Sequence, residues 1–227
     1  FQHFQKIWSE PIKPFDIVIR RQVADSKKKK STADFGDTTE IEIGDYFNFH
    51  NHTIYSTLSA TSHFSELIKV AAENDFKAVG MVDLGNLMGA FKFVSEVEKY
   101  NGDIKKKKAE AEEKGEEFTK TPLVPVLGCE FYISERPEQK QFTKDDPDRR
   151  TNMVLLAKNF KGYKNLAKLS SLGFTNGFYA GVPRISKKQI AEFKEDLIAV
   201  TSGIYGDVPN AILNFGEQRG EEVFLWW

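Results

Sequence analysis

Short apolar runs that end in Gly, Asp or Glu alternate along this chain with stretches in which apolar residues return every third or fourth position. Alternation of strand and helix signals predicts an α/β fold on a parallel sheet, open or closed into a barrel. Phe47 to His52 reads as the first strand. Phe64, Leu67, Ile68, Ala71 and Ala72 then fall at i, i+3, i+4, i+7 and i+8, predicting a helix with Ser62 as its N-cap. Ala78 to Val82 is the next strand, closed by Asp83-Leu84-Gly85-Asn86, and Met88, Phe91 and Val94 mark the helix after it. Leu123 to Leu127 leads a third strand into Gly128-Cys129-Glu130 and on through Phe131-Tyr132-Ile133. A polar loop from Glu135 to Arg150 separates it from a strand at Met153 to Ala157, a helix at Tyr163 to Leu172, a helix around Ser186 to Phe193 and a strand at Leu197 to Thr201.

Two segments break the alternation. Residues 98 to 120 are dominated by Lys and Glu, which suits an exposed insertion that extends the preceding helix outside the core. Residues 1 to 45 carry Pro11, Pro14, a lysine run and a polar stretch from Ser31 to Thr39, the pattern of an N-terminal linker or extension. The first residues, Phe1-Gln2-His3-Phe4, contain neither an initiator Met nor a signal pattern, so the chain reads as an internal fragment.

Charge narrows the function classes. The 32 basic residues nearly cancel the 33 acidic ones, so no protein-wide positive field exists to hold a polyanion, and nucleic acid would have to bind a local patch. Lys27 to Lys30 and Lys105 to Lys108 invite that idea. The first run sits in a Ser/Thr/Asp-rich stretch and the second runs into Glu110, Glu112 and Glu113, so both read more simply as solvated segments. No apolar run approaches the roughly 20 residues of a membrane-spanning helix. The single cysteine, Cys129, suits a reducing, cytoplasmic setting and a core position.

The chemistry centres on His50-Asn51-His52 at the end of the first strand. Residues i and i+2 of a strand share a face, so two imidazoles can converge on one zinc or manganese ion. Asp83 and Glu130 stand at the ends of two other strands and could complete such a set. Each has a blander reading: an H-x-H suits a structural pair as well as a metal pair, Asp83 a turn or helix cap, and Glu130 a buried carboxylate held by a nearby cation.

Longer motifs carry a resemblance. Phe47-Asn48-Phe49-His50-Asn51-His52-Thr53, Val82-Asp83-Leu84-Gly85-Asn86-Leu87-Met88-Gly89-Ala90, Pro125-Val126-Leu127-Gly128-Cys129-Glu130-Phe131-Tyr132 and Gly162-Tyr163-Lys164-Asn165-Leu166 occur in that order. Together they resemble the PHP domain near the front of the bacterial replicative DNA polymerase III alpha subunit, over residues 46 to 227. The resemblance implies a distorted (βα)7-type barrel, here truncated at its C-terminal end because the family's late D-x-H pair falls beyond Trp227. It also implies that the magnesium-binding polymerase carboxylates lie outside this stretch.

The resemblance is imperfect at its metal ligands. The family's histidine after the second-motif aspartate is Leu84 here, an acidic ligand aligns near Ser59, and another histidine aligns with Asn152. His50, His52, Glu130 and Asp83 are what remains, so the site is expected to be degenerate, with no catalytic residue assigned. The domain would then serve mainly as a structural and interaction element, touching the rest of the alpha subunit and a proofreading exonuclease, with DNA reached through the parent protein. The alternatives are an active metal-dependent phosphoesterase, such as a 3′–5′ proofreading exonuclease or pyrophosphatase, and a nucleic-acid module that uses the lysine runs.

Overall fold

The computed structural model describes residues 47–227; the linker assigned to residues 1 to 45, with His3 and Lys27 to Lys30, lies outside the described residues. Helix α1 (Phe64–Glu73) precedes strand β1 (Ala78–Leu84), helix α2 (Ala90–Lys114) and strand β2 (Val124–Ile133). Then come β3 (Thr151–Ala157), α3 (Phe160–Thr175), the short strands β4 (Phe178–Tyr179) and β5 (Val182–Ile185), α4 (Lys187–Glu192), β6 (Leu197–Thr201), α5 (Asp207–Phe215) and α6 (Glu217–Trp226). The α/β class holds, but the sheet is mixed and not parallel.

Strand β2 organises the sheet. Its first part pairs in parallel with β1, its last two residues with β5, and its other edge runs antiparallel to β3, which is antiparallel to β6. The polar loop over residues 134–150 explains the departure. A parallel return needs a crossover, usually a helix, and this loop contains none, so the chain comes back antiparallel. The strand order β4-β5-β2-β3-β6 is open among the described residues.

The two faces of the sheet differ. On one face α1 and α2 cover β1 and β2, where Phe64, Ile68, Met81, Phe93, Val97 and Leu127 form one buried cluster. Cys129, Phe131, Met153, Leu155, Leu166 and Ile185 form a second under α3. The opposite face holds a smaller cluster of Val82, Val154 and Leu156, with Phe49, Ile198 and Val200 against it.

Several local expectations shift. Helix α1 is capped by His63 and not by Ser62, because Glu66 reaches back to accept from the His63 backbone N–H and fixes the start one residue later. Helix α2 buries Ala90, Phe93, Val94 and Val97, whereas Met88 and Phe91 are exposed; the helix begins after Met88, and the buried residues keep the helical spacing from Ala90. The Lys/Glu-rich insertion does continue α2 as far as Lys114, where Gly115 closes it in the left-handed region. Ile104 and Ala111 within it are nevertheless buried.

Phe47 to His52 lies along β1 without forming a regular strand. Gly80 N–H bonds the Asn48 carbonyl, but Val82 N–H bonds that of Asn51, so this segment advances three residues while β1 advances two. The mismatch is a bulge next to the histidines. A Cβ on Gly80 would lie 2.3 Å from the Phe49 backbone, so only glycine lets the two segments approach this closely.

Candidate functional site

The side-chain alternation of β1 and β2 decides which residues meet. Asp83 pairs with Cys129 and Leu84 with Glu130, and paired positions in a sheet share a face. Glu130 therefore points to the opposite face from Asp83. Across β3 Glu130 pairs with Val154, so Asn152, two residues away, lies on Glu130's face as well.

Three side chains gather there. His50 Nε2 and His52 Nε2 stand 2.8 and 2.7 Å from the same oxygen, Glu130 Oε2, while Asn152 Nδ2 donates to Oε1 at 3.1 Å. The ligand atoms of His50, His52 and Glu130 all lie within 4.8 Å of one another. Glu130 is buried and the two histidines are half-buried. Burial pushes the Glu130 carboxyl up, but hydrogen bonds from His50, His52 and Asn152 outweigh it and hold the group far below the usual carboxylate range.

Asp83 belongs to a different structure. It is fully buried and accepts from Thr53 N–H at 2.6 Å, Thr53 Oγ1 at 2.7 Å and Ser56 Oγ at 2.7 Å. Ser56 Oγ in turn accepts from Leu84 N–H at 3.0 Å. The carboxylate thus staples the segment after the histidines to the end of β1 and stands outside the three-residue group. Ser59 is exposed in the turn that follows, and His63 is exposed at the start of α1.

Leu84 occupies the position that matters most. It pairs with Glu130, so a coordinating side chain there would stand beside the histidines, and leucine offers no donor. Asn152, by contrast, reaches Glu130 through its side-chain amide. Ser202 follows β6 where the β3–β6 ladder ends, and Asn152 beyond that end bridges Gly206. The buried Ser202 hydroxyl has no hydrogen-bond partner among the described residues.

Cys129 is fully buried in the core, as its sequence context predicts. Burial, with the nearby Asp83 carboxylate adding to it, pushes the thiol well above its ordinary pKa. Native protein at neutral pH should therefore leave an aromatic disulfide reagent unreacted over minutes and release one equivalent of thiolate only in denaturant. Rapid release from native protein would contradict this placement.

The PHP domain family matches residues 48–227. The chain belongs to the PHP family. Curated relatives are DNA polymerase III alpha subunits. That of Aquifex aeolicus (strain VF5) is 34% identical over 186 residues, covering 80% of this chain and 14% of the relative. That of Borreliella burgdorferi is 29% identical over 182 residues, covering 80% of this chain and 14% of the relative. That of Chlamydia trachomatis serovar D is 32% identical over 181 residues, covering 78% and 12%. The chain thus matches the PHP domain of the alpha subunit and spans about a seventh or less of these relatives. Among the described residues no helix is long and apolar enough to cross a membrane.

Proposed function

We propose that this PHP domain is a structural and interaction element of a bacterial replicative DNA polymerase alpha subunit, and that its metal site is degenerate. The observation that carries the reading is the register that turns Asp83 away from Glu130 while leaving apolar Leu84 beside it. Two nitrogens and one carboxylate oxygen suit a single zinc or manganese ion, with His50, His52 and Glu130 as its ligands. A bound ion would supply Lewis acidity and an activated water. Multi-ion phosphoester hydrolysis needs more converging donors than this set offers.

Exposed apolar residues support the interaction role. Leu213, Phe224 and Leu225, at 68, 61 and 74% exposure, and Ile204 and Tyr205, at 64 and 71%, form no part of the domain's own core. Residues of this kind mark surfaces that bind other protein. The remainder of the alpha subunit and a proofreading exonuclease are the proposed partners, with DNA engaged by the parent polymerase.

Elemental analysis of chelator-treated protein reloaded with zinc or manganese tests the site. At most one ion per chain is expected, lost in H50A/H52A, together with hydrolysis of DNA 3′ ends and pyrophosphate no faster than by that variant. Metal-dependent turnover that disappears in His50→Ala would replace this reading with an active phosphoesterase.

A further inference from the structure

A second concave region lies away from the histidines. The 134–150 loop, the start of α4 and the helices α5 and α6 enclose a cleft of about 1180 Å³. That exceeds the roughly 300–1,000 Å³ typical of a small-ligand pocket. Six cationic side chains line it against three carboxylates.

Two of the three carboxylates are paired, and the third, exposed Glu135, acts on Arg136. Asp148 accepts from buried Arg184 at 2.8 Å and lies 3.3 Å from Arg150, and Asp207 is 2.6 Å from Lys187 and also accepts from Trp227 Nε1. Arg149 and Lys188, both exposed, have no carboxylate within ion-pair distance among the described residues. Phe215, 64% exposed, adds an aromatic face to the same wall. A surplus of unpaired cations beside an open aromatic ring fits a phosphate backbone with its bases unstacked.

We propose that this cleft binds single-stranded nucleic acid, with Arg149 and Lys188 taking phosphates and Phe215 stacking on a base. The site is independent of the metal centre and of both lysine runs. It reconciles a net charge of −1 with a local patch of positive potential.

The test is fluorescence anisotropy of the full chain with a labelled oligothymidylate about 15 nucleotides long, in salt from about 50 to 200 mM. Wild type is expected to bind in the micromolar range, more weakly as salt rises. R149E/K188E should lose about tenfold or more, and F215A about tenfold. K106E/K107E on exposed α2 should bind like wild type, and circular dichroism should show every variant folded. Several results would overturn the proposal: no salt-dependent binding by wild type, retained affinity in R149E/K188E (as binding through Lys27 to Lys30 would give), or an equal loss in K106E/K107E. Duplex binding as tight as single-strand binding and indifferent to F215A would also overturn it.

Discussion

Arg184→Met is expected to destabilise the protein by about 3–5 kcal/mol, the range for removing one partner of a buried ion pair. The Arg184 side chain is fully buried. Its Nε donates to the Gly177 carbonyl at 3.0 Å, Nη1 to Asp148 at 2.8 Å, and Nη2 to the carbonyls of Pro137 and Gln139 at 2.9 and 2.7 Å. The guanidinium also lies 5.3 and 5.0 Å from the ring centroids of Phe142 and Tyr179. One side chain therefore closes the 134–150 loop onto β4 and β5. Methionine fills much of the volume but takes the guanidinium from four acceptors, of which the Gly177 carbonyl keeps the backbone N–H of residue 184 and Asp148 keeps Arg150. Arg184→Lys should recover little, since a single ammonium cannot reproduce the planar fork. Urea denaturation of both variants checks this; a loss below about 1 kcal/mol for Arg184→Met would show that the loop is held by other contacts.

Arg184 also marks a limit of the sequence reading. In Val182-Pro183-Arg184-Ile185 the sequence shows one cation within an apolar run, and nothing in that pattern marks it as buried. The chain adapts to it closely: a Cβ on Gly177 would lie 1.7 Å from the Arg184 carbonyl oxygen, so the residue facing it must be glycine. Period-3.6 and period-2 patterns located most elements because burial of one face is a local property of sequence. Strand direction was less legible, although the helix-free 134–150 loop already argued against a parallel return between β2 and β3. The candidate site divided in the same way. His50, His52 and Glu130 converge as the i, i+2 spacing and strand-end position suggested. Asp83 was grouped with them because it too ends a strand. Which face it takes depends on the β1–β2 register, and a single step of register moves a side chain to the other side of the sheet.

That register leads to the second large effect. Asp83→Ala is expected to cost about 3 kcal/mol or more, because the backbone N–H of Thr53 and the hydroxyls of Thr53 and Ser56 lose a buried carboxylate acceptor together. The segment that carries His50 and His52 then keeps its backbone bonds to Gly80 and Val82 but loses its side-chain tie to β1, so the loss should appear both in chemical denaturation and as earlier proteolysis near residues 50–56. Asp83→Asn separates anchoring from coordination. Its amide oxygen can still accept from Thr53 N–H, and the Thr53 hydroxyl can rotate to accept from the amide nitrogen, so most of the stability should return, to within about 1 kcal/mol of wild type. An anchoring residue predicts that folded Asp83→Asn carries the same metal content as wild type. A folded Asp83→Asn that loses metal bound by wild type would move Asp83 into the coordination set. An Asp83→Ala variant as stable as wild type would show instead that the staple holds nothing in place.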